Sequence, residues 1–236
     1  MINGWYGNEY TDYFFVANDK MKNYLISKNI SKNKVFVTGI PISSRFLKTY
    51  NKQDILKEFN LEENKKTILF FAGGEFGLGK NRTLQIFEDL IKNFENIQII
   101  AIAGKNEKMK LNFETIVKNF NKEKNVRVLE FTNKVPELMA ISDLVISKPG
   151  GLTTSESLAS NLPMIIINPI PGQEEENAEF LESKGTGVWI RKNDSPYEIL
   201  KNIINNPVKL EEMKKNTEIL AKKHSTENIC KTILTT

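Results

Sequence analysis

Asp143-Leu-Val-Ile-Ser-Lys-Pro-Gly-Gly-Leu-Thr-Thr-Ser-Glu-Ser-Leu-Ala-Ser160 is the stretch that decides the fold. Residues 143–147 make an apolar run of strand length, 148–151 a glycine turn, and 154–160 a helical pattern. A strand that feeds a glycine turn and then a helix aims free backbone N–H groups and a dipole's positive end at one point. That geometry favours a phosphate or diphosphate. Glu156 stands one turn inside the helix, within reach of ribose hydroxyls. The segment therefore reads as half of a nucleotide-sugar site. A plainer reading stays open, because Thr153-x-x-Glu156 is also a capping box; it leaves Lys148-Pro-Gly-Gly151 unexplained.

Outward from this stretch, runs of strand length alternate with helical patterns. The spacing predicts strands at Tyr13–Ala17, Val35–Thr38, Thr67–Ala72, Ile97–Ala103, Val126–Leu129, Asp143–Ser147, Met164–Asn168 and Gly187–Ile190. It predicts helices at Asp19–Lys28, Lys52–Phe59, Lys80–Asn93, Glu107–Phe120, Val135–Ile141, Thr154–Ser160, Gln173–Ser183, Pro196–Asn205, Val208–Lys223 and Thr226–Leu234. Thr67–Ala72 is apolar at nearly every position, as in strands covered on both faces of a parallel sheet. The expected class is α/β, a Rossmann-like doubly wound parallel sheet with six strands between Thr67 and Ile190. The two earlier strands are expected to extend that sheet, with the first residues poorly packed. Gly39-Ile-Pro-Ile-Ser-Ser-Arg45 reads as a connector.

Two more loops follow strands at the same, carboxyl edge. Gly73-Gly-Glu-Phe-Gly-Leu-Gly79 nearly matches a phosphate-binding P-loop through Gly74-x-x-x-x-Gly79-Lys80, but Asn81 replaces the hydroxyl that would hold magnesium. A P-loop NTPase and a ligand-free glycine turn both remain open for this loop alone. In Pro169-Ile-Pro-Gly-Gln-Glu-Glu-Glu-Asn177, the helix dipole alone accounts for three acidic residues in a first turn. It does not account for Gln173 and Asn177, whose amides suit sugar hydroxyls. Three polar loops at one edge of an open α/β sheet carry more weight than any one of them.

The bulk properties exclude several classes. The 236 residues are 40% apolar and 26% charged, an ordinary globular balance. A single cysteine, Cys230, forbids an internal disulfide and fits a reducing compartment. No run approaches the roughly 20 apolar residues of a membrane span, and residues 1–7 do not resemble a signal peptide. A cytoplasmic location is expected. The net charge of +4 allows docking on an acidic membrane surface, whereas nucleic acid finds no arginine-rich run or aromatic platform. His224 is the one histidine, so no zinc site is expected. There is also no Asp-x-Asp pair for a divalent cation. Trp5 and Trp189 read equally as packing residues or ligand contacts.

Gly39-Ile-Pro-Ile42, Phe71-Ala-Gly-Gly-Glu-Phe-Gly-Leu-Gly79, Ala103-Gly-Lys-Asn106, Ser147–Gly151, Ser155-Glu156 and Ile170-Pro-Gly-Gln-Glu-x-x-Asn177 stand in an order that resembles the diacylglycerol glycosyltransferases of glycosyltransferase family 28. The resemblance covers roughly residues 11 to 190. It implies the C-terminal half of a GT-B glycosyltransferase, with residues 46–236 binding a UDP-sugar and residues 1–45 ending the acceptor domain or forming an extension and linker. It implies inverting transfer of a hexose to a diacylglycerol-type lipid without a cofactor, on or near the cytoplasmic membrane face. A separate acceptor-binding partner subunit is the alternative. By resemblance Glu156 binds the ribose, and the backbone at Thr132 reads the uracil edge. Gly150, Gly151 and their neighbours Lys148 and Thr153 hold the diphosphate. Gly73 and Gly74 line the cleft, while Gln173 and Glu174 contact the hexose hydroxyls, and Asn177 completes the nucleotide-sugar-binding set. No catalytic base is assigned. Ser43 departs from the basic residue common after the Gly-x-Pro turn, and Arg45 is the expected substitute.

Overall fold

The computed structural model describes residues 11–72 and 79–235. In chain order these contain β1 (Phe14–Val16), α1 (Asp19–Ser27), β2 (Val35–Val37), α2 (Lys52–Glu58), β3 (Lys66–Phe71), α3 (Lys80–Asn93), β4 (Ile97–Ile102) and α4 (Glu107–Asn119). There follow β5 (Val126–Leu129), α5 (Val135–Ile141), β6 (Leu144–Ser147), α6 (Gly151–Ala159), β7 (Met164–Ile166), α7 (Gln173–Ser183), β8 (Gly187–Trp189), α8 (Pro196–Ile204), α9 (Pro207–Leu220) and α10 (Ser225–Leu234).

β3 organises the rest. Its side chains alternate between two apolar layers, as the period of a strand requires. Ile68 and Phe70 join Ile86, Phe87 and Leu90 of α3, Phe113 of α4 and Leu200 of α8. Leu69 faces the opposite layer with Ile55 and Leu56 of α2, Leu138 of α5 and Leu181 of α7. α3 buries Thr83, Ile86, Phe87, Leu90 and Ile91, the i, i+3, i+4 stripe of an amphipathic helix. Burial on both faces explains why β3 and β4 carry almost no polar residue.

The main sheet is parallel, in the order β5-β4-β3-β6-β7-β8. Strand order thus reverses between β3 and β6, and the chain leaves their carboxyl ends in diverging directions. A crevice at such a switch point is where open α/β sheets bind ligands.

β1 and β2 do not extend this sheet, contrary to the expectation above. They pair with each other as a separate two-stranded parallel sheet. Val16, Val35 and Leu25 of α1 form a small core of their own. Gly39 follows β2 with φ of +85°, a value that suits glycine. A Cβ there would meet the Lys222 side chain at 2.5 Å, so the connector lies directly against the α9–α10 joint. The expected poor packing of residues 1–10 concerns a segment outside the described residues.

At the opposite, amino edge, Asp143 joins three elements. Its Oδ2 accepts from the Thr67 N–H at 2.9 Å and its Oδ1 from Lys214 Nζ at 3.0 Å. Asp143→Ala removes a charged acceptor from a partly buried amide and ammonium. It should lower the unfolding free energy by about 1–3 kcal/mol in urea denaturation. A shift within experimental error would make this tie a bystander.

Candidate functional site

The second and third loops meet at the switch point. A cleft of about 280 Å³ opens there, lined by Phe71, Ile102, Gly104, Ser147, Lys148, Gly150, Thr153 and Glu174. Phe71, Ile102 and Ser147 are the last residues of β3, β4 and β6, so the cleft lies at the carboxyl edge.

α6 starts earlier than its sequence pattern suggests. Gly150 is its N-cap and supplies no side-chain bond, so the first turn comprises Gly151, Leu152 and Thr153. The N–H groups of that turn have no carbonyl one turn earlier to satisfy them. Thr153 is then the third residue of the helix and Glu156 the sixth, which removes the capping-box reading of the pair. Lys148 adds a cation to the same wall of the cleft. Among the described residues no ion pair is recorded for its ammonium. Together these features make a cradle suited to an anion.

α7 leans on this turn. Asn177 Nδ2 donates to the Pro149 carbonyl at 2.8 Å, fixing the Pro-Gly-Gly backbone. Glu174 Oε2 accepts from the Ile170 N–H at 2.7 Å, while its Oε1 lies 3.7 Å from where a Cβ on Gly150 would stand. One carboxylate oxygen of Glu174 therefore shapes the loop and the other borders the cleft. Glu175 accepts from the Gly172 N–H at 3.2 Å, so it closes the helix start and has a structural role.

Glu156 is half-buried one turn further along α6 and is not a wall of the cleft. Burial alone pushes its carboxyl pKa above the usual 4.5. Among the described residues it accepts no recorded hydrogen bond. A half-buried carboxylate without donors is a costly arrangement unless something else supplies them.

Other expected residues lie outside this cluster. Gln173 is exposed at the start of α7. Thr132 accepts from the Lys134 N–H at 3.1 Å ahead of α5 and does not line the cleft. Gly151 faces a second cavity, beyond α6. Gly73 and Gly74 lie outside the described residues, as do the positions between them and Gly79. Gly79 itself has φ of +77°, and a Cβ there would strike the Asn168 side chain at 2.5 Å. Asn168 Nδ2 donates to the Gly79 carbonyl and to Thr83 Oγ1, so close packing accounts for this glycine. Arg45 is engaged with Glu137 of α5 at 2.9 Å, which raises its pKa and ties the connector to the domain. Trp189 lies under the Arg191 guanidinium, 4.5 Å from the ring centroid, in a packing role. His224 is exposed, with Nδ1 3.2 Å from Glu227.

Phe71, Ile102 and Gly104 were missed as cleft residues. Their signal was positional: each ends or directly follows a strand adjoining the switch point. Among the described residues no group of three or more His, Cys, Asp or Glu side chains could hold a metal ion. None of their helices is long and apolar enough to cross a membrane.

The chain is 36% identical over 221 residues to a processive diacylglycerol beta-glucosyltransferase of Staphylococcus saprophyticus, matching 94% of this chain and 55% of that protein. It is 34% identical to the protein of the same name from Bacillus subtilis, covering 96% and 58%. The chain thus spans little more than half the length of these curated relatives. The fold is similar to that of the UDP-GlcNAc 2-epimerase of Neisseria meningitidis, with a TM-score of 0.70 at 19% identity over 95% of this chain and 61% of the other. Residues 67–233 match the model of the glycosyltransferase family 28 C-terminal domain. That segment holds the six strands of the main sheet, save Lys66 at the start of β3, and every wall of the cleft, and through it the chain belongs to glycosyltransferase family 28, with the fold of the C-terminal half of a GT-B glycosyltransferase.

Proposed function

We propose that the chain binds a UDP-hexose and serves its transfer, with inversion, to a diacylglycerol-type lipid. The observation that carries this reading is the cleft at the β3–β6 switch point, where a free helix N-terminus and Lys148 converge, with the half-buried carboxylate of Glu156 one turn further along α6. The relatives' activity supports the acceptor class.

In this reading the first turn of α6 and Lys148 hold the diphosphate, and Glu156 accepts from the ribose hydroxyls. Thr132 and its backbone neighbours meet the uracil. Glu174, with Gln173, meets the hexose; Asn177 keeps the Pro149 turn in place. The acceptor oxygen bonds to the anomeric carbon as the bond to the diphosphate breaks, and the electron pair departs with UDP. The acceptor proton passes to a base that we assign to an acceptor-binding part, of which residues 1–45 are the end. The contribution of this domain is stabilisation of the leaving group by preorganised donors and positioning of the sugar. We place the protein at the cytoplasmic membrane surface, in peripheral contact.

A second reading has one observation in its favour: among the described residues β1 and β2 pair only with each other, a two-stranded sheet too small to make an acceptor site of its own. The chain would then be a donor-binding unit that acts only with an acceptor-binding partner. Adding labelled UDP-glucose and dioctanoylglycerol separates the two, since the second reading expects no transfer without that partner.

Lys148→Met tests the cradle. Titration calorimetry should show UDP affinity reduced by about 1.5–3 kcal/mol, the range for hydrogen bonds to charged groups. Uridine, which lacks the diphosphate, should bind the variant as it binds the parent. Equal losses for both ligands would move Lys148 out of the diphosphate site, and no UDP binding by the parent protein would end the donor-site reading.

A further inference from the structure

Five non-glycine residues among those described adopt positive φ, and all five are asparagines. Asn29, Asn60, Asn121 and Asn161 each stand one residue past the C-cap of a helix, where a left-handed residue ends the helix in the ordinary way. Asn168, with φ of +44°, does not. It follows a strand, β7, and precedes Pro169. A proline pushes the residue before it toward extended backbone, so a left-handed value there is doubly unfavourable. Strain of this kind persists only where the surroundings hold it, and it gathers at functional sites.

The surroundings do hold it. Asn168 Nδ2 donates to the Gly79 carbonyl at 3.2 Å and to Thr83 Oγ1 at 2.9 Å. Gly79 is the N-cap of α3, and Thr83 lies one turn inside that helix. The side chain of Asn168 thus reaches toward the layer that contains α3. Its main chain runs the other way, through Pro169 and Ile170, to α7 in the opposite layer. The Ile170 N–H then donates to Glu174 Oε2 at 2.7 Å, and the other oxygen of that carboxylate borders the cleft. Contacts therefore run without a break from α3 through Asn168 and Ile170 to Glu174. Asn168 itself is not a wall of the cleft.

We propose that Asn168 is a positioning residue for the donor sugar. Clipped to α3, it sets the direction in which the chain leaves β7, and with it the place of the Glu174 carboxylate against the hexose. This assignment rests on the donor reading of the cleft and adds which residue outside the cleft governs how the sugar is met. A role confined to stability would change UDP and UDP-hexose binding together or not at all; a positioning role separates them.

The test is calorimetric titration of the whole chain with UDP and, separately, with UDP-glucose. Asn168→Gly removes the amide and keeps a residue that accepts positive φ, so the clip is lost and the turn is not strained further. UDP-glucose affinity should fall about tenfold, the scale of one hydrogen bond to a charged group, while UDP affinity stays at the parental value. Glu174→Ala should show the same split. The double variant should bind UDP-glucose within about twofold of Glu174→Ala alone, because the change at 168 acts through residue 174. Thr83→Val keeps the shape of that side chain and removes one of the two acceptors; it should give a smaller loss, about threefold, in the same direction. It decides the matter by the same criterion if Asn168→Gly does not fold. The proposal is overturned if Asn168→Gly binds UDP-glucose as the parent does, if it loses UDP and UDP-glucose equally, or if the two single losses multiply in the double variant. A parent that binds no UDP would instead bring down the donor reading, a different and recognisable result.

Discussion

Glu156→Gln should weaken UDP binding by about 1–3 kcal/mol in calorimetry and, at the same time, raise the thermal stability of the free protein at pH 7. The first effect follows from the proposed role, in which glutamine replaces a charged acceptor of the ribose hydroxyls by a neutral amide. The second follows from linkage. Burial holds the carboxyl pKa of Glu156 above the ordinary 4.5, so the folded state disfavours the ionised form. A raised carboxyl pKa leaves stability intact below the unfolded value and removes it as pH rises through the folded value. Glutamine has no charge to desolvate and escapes that loss. The stability gain should therefore fade on titration below about pH 4.5, where the parent carboxyl is protonated in both states. UDP affinity of the parent should drop over the same acidification, because the protonated acid accepts poorly. Unchanged affinity in the glutamine variant would leave the buried carboxyl without a nucleotide role.

The largest effect on folding is expected at Phe70. Its ring is fully buried and packs edge-on to Phe87, with centroids 5.2 Å apart, and to Phe113 at 5.7 Å. Phe70→Ala should lower the unfolding free energy by about 3–5 kcal/mol, combining lost transfer energy with a cavity that β3, held between β4 and β6, cannot collapse to fill. Phe71, the next residue, walls the cleft at the switch point. UDP affinity measured on the fraction that remains folded should thus fall as well. A loss below 1 kcal/mol would show that α3 and α4 repack around the gap.

Legibility from sequence followed physical cause. Thr67–Ala72 and Ile97–Ala103 announced a doubly covered parallel sheet because burial on both faces removes polar residues from a strand, and six strands were placed within a residue or two. α6 was begun three residues late. Its opening turn is Gly151-Leu-Thr, and neither a capping side chain nor an apolar period marks a helix that starts on glycine. The allegiance of β1 and β2 was misjudged for a different reason. Strand patterns encode which faces are buried, not which sheet they join, and Phe14–Val16 is too short to specify a neighbour. In the site, Lys148, Gly150, Thr153 and Glu174 were readable because each sits in a loop whose composition departs from the elements around it. Arg45 was expected to stand in for the basic residue after the Gly-x-Pro turn, and its pairing with Glu137 was not foreseen because that partner lies 92 residues away and has no local signature.

The contact between Gly39 and Lys222 gears two distant parts of the chain. With no side chain at position 39, the β1–α1–β2 unit rests its connector on the joint between the last two helices like an axle on a bearing. A side chain at position 39 would collide with Lys222 and unseat the connector from that joint, at a place remote from the cleft at the switch point.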